Sequence, residues 1–502
     1  MSAEREVVSE KRYIAVDLGA DSGRVMLGVV SAEELRLEEV HRFANGPIEQ
    51  DGSLRWDFDK ILNEVKAGIG KAAKQAGGEV AGIGIDSWGV DFGLLDEKDK
   101  LIENPYHYRD SRTNGMMEKA FELMPKRKIY ENTGIQFMQF NSVYQLLSMR
   151  LMNSPVLAKA KRLVLIADLV SYELCGKCYA EYTLASTSQL MDMRTGKWSK
   201  EIFRKLKLPI EIMPEVLSPG SVVGTMTSEV AEEIGCDRIP VIAVGSHDTA
   251  SAVVAVPADE QTKWAYLSSG TWSIVGVEMP KAIVNDKTFE NHLTNEGGVE
   301  GTIRLLTNIM GMWPVQECRR QWQKEGDDLS YAQLTSMAEK AGAFVASVDV
   351  GDGRFLAPGN MPRRINEFLA EKGQKEIKDK GQMVRVLLEC LALKYRQTLE
   401  QLEEVTGVKI NRLHIVGGGS RNELLNQFAA NATGKKVITG PVEATATGNI
   451  LMQARATGQI NSVSQGRRLM RESFALKQYL SKETAAWEKQ HKKTQKVASH
   501  RS

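Results

Sequence analysis

Five times in this sequence a short apolar run stops abruptly on a small or acidic polar turn. Tyr13–Val16 ends at Asp17 and Gly19, Val80–Ile85 at Asp86, and Val241–Val244 at Gly245. Trp264–Leu267 leads into Ser268-Ser269-Gly270-Thr271, and Leu413–Val416 into Gly417-Gly418-Gly419. Apolar runs of this length, bounded by turn residues, read as buried strands. Val25–Val30 and Arg36–Phe43 add two more strands, and Ile61–Ala76 has helical spacing up to the Gly77-Gly78 stop. Strands that end in Gly-rich polar turns before helices predict mixed α/β domains with ligands at the strand ends.

A chain of 502 residues exceeds what one hydrophobic core supports. The pattern breaks at Val256-Pro257-Ala258-Asp259, so domains over 1–256 and 257–475 are expected, with a basic tail over 476–502. In that tail Ser481–Gln495 reads as a surface helix and the last residues as frayed. A net charge of +1 gives no case for nucleic acid or an anionic membrane as partner. The five cysteines are too few, and odd in number, for a secreted disulfide framework; they fit a reducing cytoplasm. Met1–Lys11 has no apolar stretch and does not read as a secretory signal. Ile239–Pro257 is apolar, but it carries Pro240, His247 and Asp248, which fit a strand and helix better than a membrane span. Cys175-Gly176-Lys177-Cys178 follows a predicted helix over Leu163–Leu174 and lacks a second ligand pair, so it reads as a turn.

Several turns carry residues suited to phosphate or polyol chemistry. Asp17–Arg24 sits between two strands, where small residues let backbone N–H groups approach a polyphosphate. Asp17 is a hard-oxygen donor for Mg²⁺, and Ser22 and Arg24 are placed to reach phosphate oxygens; the alternative is an ordinary hairpin turn. Ser268–Trp272 is a second such turn with the same alternative. The glycines of Val416–Asn422 permit close approach of a flat ligand to the backbone. In Gly245–Ala250, Asp248 reads either as a general base for a sugar hydroxyl, with His247 beside it, or as an N-cap. Asp86–Asp91 and Tyr108–Arg112 read either as a sugar-facing aromatic turn or as a core tryptophan with a surface ion-pair run.

In this order the segments resemble the FGGY carbohydrate kinases of the actin, hexokinase and Hsp70 superfamily. Asp17–Arg24 looks like the first phosphate loop, Ser268–Thr271 like the second, Val416–Asn422 like the adenosine motif, and Gly440–Asn449 like a late helix of that family. Asp86–Phe92, Tyr108–Gly115, Gly134–Tyr144, Ser246–Val253, Tyr266–Ser273, Thr294–Gly298, Asn308–Trp313 and Leu413–Ser420 resemble, more narrowly, the branch acting on L-rhamnulose. The resemblance runs from about residue 12 to 470. It implies two ribonuclease-H-like (actin-like ATPase) α/β domains with an active-site cleft between them, and a MgATP-dependent sugar kinase acting as monomer or homodimer. The implied ATP contacts are Ala20, Asp21, Ser22, Gly23, Arg24, Thr271, Gln316 and Gly418. The implied sugar contacts are Gly89, His247, Asp248, Thr249 and Asn308, with Asp248 as base. Asp21 departs from the family, where a neutral hydroxyl residue is common; a carboxylate there repels phosphate unless it turns away or toward Mg²⁺. The remaining alternatives are a family member acting on L-fuculose, xylulose or glycerol, and a non-catalytic ATP-binding protein.

Overall fold

The computed structural model describes residues 10–499, which fall into two compact units. The first unit combines the chain up to Asp259 with Glu278–Leu305 and Ala444–Phe474; the second holds Glu260–Val277, Leu306–Glu443 and the chain from Ala475 on. The sequence reading placed one boundary at 256/257. The units instead interleave, because two later segments pack on the first unit's core.

The first unit is built on a six-stranded sheet in the order Ser221–Thr225, Pro240–Ala243, Val80–Ser87, Lys11–Leu18, Ser22–Val30, Leu35–Ala44. The three consecutive strands from Pro240–Ala243 to Lys11–Leu18 run parallel, and the outer pairings are antiparallel. All three of these inner strands come from the short apolar runs. They are buried on both faces, as a parallel core requires: Tyr13 and Ala15 on one face, and Ile14, Val16, Ile83 and Val241 on the other, have no exposed surface. On one face lies the helix Phe58–Ala76, capped by Asp57, whose side chain accepts from the Lys60 amide at 3.1 Å. It buries Ile61, Val65, Ile69 and Ala72 and ends at Gly77 with φ 63°, as the Gly-Gly stop predicted.

The helices Asp248–Val254 and Ala444–Ala456 also belong to this unit. They cross at backbone contact: a Cβ on Gly448 would lie 1.8 Å from the Ser251 carbonyl oxygen. From Ala444–Ala456, Gln453 Nε2 donates to the Ile14 carbonyl at 2.9 Å and to Asn449 Oδ1 at 2.7 Å.

In the second unit six strands follow one another as Ile303–Met310, Trp272–Met279, Trp264–Ser269, Arg412–Val416, Lys436–Thr439 and Lys477–Tyr479. Trp264–Ser269 is antiparallel to Trp272–Met279 and parallel to Arg412–Val416. The 27-residue helix Lys380–Thr406 supplies much of the apolar cover. The C-terminal stretch is more than a tail. Lys477–Tyr479 adds an antiparallel strand, and the helix Thr484–Ser499 buries Trp487 to 1% exposure against Phe344 and Phe428. Its Lys-rich composition hid that single aromatic anchor.

Residues 162–175 begin with the strand Arg162–Leu165 before the helix Ile166–Cys175, so the predicted helix starts later than expected. Gly176 ends it at φ 68°, which makes the Cys-x-x-Cys segment the turn it was expected to be. Among the described residues no helix is long and apolar enough to cross a membrane.

Candidate active site

The parallel strands of the first unit deliver three acidic side chains to their carboxyl ends. Asp17 and Asp86 are register partners on neighbouring strands. Ser87 donates its amide to the Ser246 carbonyl at 2.8 Å, which brings the third strand end, with Asp248, alongside. Asp17 is 5% exposed and ion-paired to Arg24 across the hairpin. Asp86 is fully buried; its Oδ2 accepts from Asn449 Nδ2 at 2.6 Å and its Oδ1 has no partner. Burial, then the charges of Asp17 and Asp248, push the Asp86 carboxyl well above the ordinary range.

The hairpin loop after Asp17 is braced by Asn45. Asn45 Nδ2 donates to the Gly19 carbonyl at 2.9 Å, and its amide donates to the Asp21 carbonyl at 3.1 Å. Asp21 is exposed at the tip, Ala20, Ser22 and Arg24 are half-buried, and Gly23 is buried against the Phe43 ring.

Asp248 is the first residue of its helix, and the cap position belongs to His247, with extended backbone. The N-cap alternative therefore does not hold. Asp248 keeps a side chain 36% exposed, while its Oδ1 accepts the Thr249 hydroxyl at 3.0 Å. Thr249 itself is 4% exposed, its hydroxyl committed to that carboxylate. His247 Nε2 lies 3.5 Å from Asp248 Oδ1, and its Nδ1 lies 3.2 Å from Glu296 Oε2 and 3.1 Å from Arg304 Nη2. Arg304 is fully buried and also donates to Glu296 and to the Gly297 carbonyl. Burial alone would raise Glu296; His247 and Arg304 outweigh it and hold the carboxyl below its usual range.

The turn Trp88–Asp91 packs beside this cluster through the Trp88 amide, which donates to the Leu18 carbonyl at 3.3 Å. Trp88 is core rather than a sugar face: it is 7% exposed, and its ring lies 4.1 Å from Trp56. Both indole N–H groups donate to Asp91 Oδ2, at 2.7 Å from Trp56 and 3.0 Å from Trp88. Gln145 donates to Asp91 Oδ1 at 2.9 Å, and Arg112 holds Gln145 at 2.6 Å. Arg112 is likewise not a surface residue; burial pulls its guanidinium down to about 10. Val90 has φ 72°, and the Asp91 amide donates back to the Gly89 carbonyl at 3.0 Å. A β-branched residue in such a tight turn is strained. The Val90 amide is held by Thr187 Oγ1 at 3.1 Å and its carbonyl by Ser142 Oγ at 2.5 Å, which leaves Gly89 partly open in a fixed backbone.

In the second unit the turn around Thr271 receives the amides of Gly311 (3.1 Å) and Trp313 (3.2 Å). Gln316 follows on the helix Trp313–Lys324, and Asn308 is on the strand Ile303–Met310. Gly417 takes φ 82°, and a Cβ on Gly419 would lie 2.0 Å from Ser269 Oγ, so the triple glycine is required for this loop to seat on the Ser269 turn. Thr271, Gln316, Gly418 and Asn308 are all at least partly exposed. Asn449 and Glu296 lie in segments that carry the resemblance but had no role of their own, and Arg304 lies in none of them. Each acts through tertiary contact, and neither periodicity nor a turn signal marks it.

The comparisons agree with this architecture. A model of the FGGY family of carbohydrate kinases, N-terminal domain, matches residues 12–255, and one of the C-terminal domain of the same family matches 265–457. A rhamnulokinase of Bacteroides thetaiotaomicron is 43% identical over 479 residues, 95% of this chain and 98% of that protein. A rhamnulokinase of Bacillus subtilis is 39% identical over 471 residues, 94% and 95% of the two. Among solved structures, a gluconate kinase from Lactobacillus acidophilus matches with a TM-score of 0.80 at 17% identity, and Plasmodium falciparum glycerol kinase with ADP matches at 0.76 and 18%; each match covers 98% of both chains.

Proposed function

The chain belongs to the FGGY family of carbohydrate kinases, and we propose that it transfers the terminal phosphoryl group of ATP to the O1 hydroxyl of L-rhamnulose, giving L-rhamnulose 1-phosphate. It has the two-domain α/β fold of sugar kinases, and its substrates are a sugar and ATP. The observation that carries the mechanism is Asp248: an accessible carboxylate at a parallel strand end, off the cap position, with His247 beside it.

Asp248 accepts the O1 proton as that oxygen forms its bond to the terminal phosphorus in line with the departing ADP. His247, Gly89, Thr249 and Asn308 position the sugar; Thr249 acts by orienting the base, since its hydroxyl is spent on Asp248. Backbone donors of residues 20–24, with Arg24, and those around Thr271 meet the phosphates, while Gln316 and Gly418 serve the nucleotide. Asp21, exposed at the loop tip, is free to turn away from phosphate.

The donor set suits Mg²⁺, which keeps most of its waters and needs only one or two carboxylates beside phosphate oxygens. Asp17 would hold it; Asp86 is fully buried and bonded to Asn449. Bound there, the ion would neutralise phosphate charge.

A coupled assay of ADP release across L-rhamnulose, L-fuculose, xylulose and glycerol tests the assignment. The highest kcat/KM is expected on L-rhamnulose, because a site that bonds several hydroxyls rejects sugars lacking them. Equal or greater kcat/KM on xylulose or glycerol refutes the substrate and leaves only the family.

A further inference from the structure

Glu181 is fully buried and lies 65 residues before Ser246 in the chain, yet its Oε2 reaches the turn that carries Asp248. That one oxygen accepts three hydrogen bonds: from the Leu184 amide at 2.9 Å, the Thr183 hydroxyl at 2.6 Å and the Ser246 amide at 3.2 Å. Thr183 Oγ1 in turn accepts the His247 amide at 3.1 Å. The direction of this relay is fixed. A hydroxyl has one proton, and here it goes to the carboxylate, so the lone pair is what meets the His247 N–H. The Glu181 amide is itself tied to Asp168 Oδ2 at 2.9 Å.

The two backbone donors that precede Asp248 therefore both end on side chains of one short segment, Glu181–Thr183. Both N–H groups lie ahead of the helix that begins at Asp248. Buried donors of this kind must find a partner somewhere. Supplying it from a carboxylate and its hydroxyl relay, instead of from sheet or water, fixes the turn to a segment that is anchored in the core.

We propose that Glu181 and Thr183 are positioning residues for phosphoryl transfer: they hold the backbone of Ser246 and His247 and so set the direction in which Asp248 meets the substrate hydroxyl. This rests on Asp248 being the base. A misplacement of about 1 Å in a reacting group costs on the order of 100-fold in rate.

The test is kinetic and uses the full chain. Thr183→Val keeps the shape of threonine and removes both ends of the relay; Thr183→Ser keeps them. Thr183→Val is expected to lower kcat about 10- to 100-fold with the sugar KM within about 3-fold of wild type, and Thr183→Ser to restore kcat to within about 3-fold. The decisive arm repeats Thr183→Val in an Asp248→Asn background, where a residue acting through the base adds no further loss. The same fold loss in both backgrounds, or a Thr183→Val kcat within about 2-fold of wild type, overturns the proposal. Should Thr183→Val not fold, Glu181→Gln, which retains an acceptor oxygen but loses the charge, takes its place with the same expected non-additivity. Asp248→Asn alone with near wild-type kcat would refute the base itself, a separate failure.

Discussion

Asp86 lies near the end of its strand and Asp248 opens the helix that follows the neighbouring strand, and their surroundings differ. Asp248 is accessible, while Asp86 is sealed in, its carboxyl pushed up by burial and by its acidic neighbours. Asp248→Asn is expected to lower kcat by about 10²–10⁴-fold at saturating ATP and L-rhamnulose. Its melting temperature should stay unchanged, because the helix cap is His247, and sugar affinity by calorimetry should be retained. A kcat within a few-fold of wild type would contradict the base role. Asp91 gives a pH prediction. Burial raises its carboxyl from 3.8 to about 6, against the hydrogen bonds that lower it. Between about pH 4 and 6 the folded chain still holds this proton after the unfolded chain has released it, so the group's contribution to stability falls as pH rises. Asp91→Asn removes that slope and adds a pH-independent penalty from its misplaced amide. Urea denaturation should show the variant gaining on wild type from pH 4 to 6 and no further above; a constant difference would refute the shifted carboxyl. Asp17, Asp86 and Asp248 were all visible in the sequence as acids at strand ends. That Asp86 is sealed in while Asp248 stays accessible was not visible, because it depends on Asn449 and on packing set only by the fold.

At the scale of elements, the crossing of Asp248–Val254 with Ala444–Ala456 is the contact least tolerant of change. A methyl group on Gly448 meets the Ser251 carbonyl oxygen, in the helix that Asp248 opens. Gly448→Ala is expected to cost about 3 kcal/mol in urea denaturation and, if Asp248 is the proposed base, to lower kcat as well, since its helix has to shift. Wild-type stability in that variant would show that the helices can part without consequence. Trp487→Ala should cost about 3–5 kcal/mol, from the loss of a buried anchor between Phe344 and Phe428. The strands were legible because a run of apolar residues closed by Gly or Asp leaves few alternatives, and Ile61–Ala76 because its period and stop agree. Residues 444–456 mix small and apolar residues with Thr445, Thr447, Asn449, Gln453 and Arg455, so the sequence pattern did not mark the depth at which this helix is buried or the sheet it covers. Glu181 had no signal, being a single acid between Ala180 and Tyr182.

For the whole molecule the interleaving of segments matters more than the place of any one boundary. The first unit takes Asn449 and Gln453 from a stretch that follows most of the second unit in sequence. A fragment ending near residue 256 would leave the Asp86 carboxyl and the Ile14 carbonyl without these partners. It is expected to show no cooperative thermal transition when expressed alone and to regain one with residues 257–502 supplied in trans; a stable fragment would contradict this. Continuity of a unit in space is a property of packing, and local pattern does not carry it, which is why a single cut was the natural reading of the sequence.

The same separation has a consequence for how the protein is made. Asn449 follows Asp86 by 363 residues, and Gln453 follows Ile14 by 439. A ribosome adding about 5–20 residues per second needs on the order of half a minute to go from the one to the other. The nascent chain therefore emerges with its inner strands synthesised and the amides that complete them not yet translated. Folding of the first unit cannot finish in the order in which it is written, and the apolar strands from Lys11 to Ser87 are left waiting, in reach of chaperones, until Asn449 and Gln453 have been added.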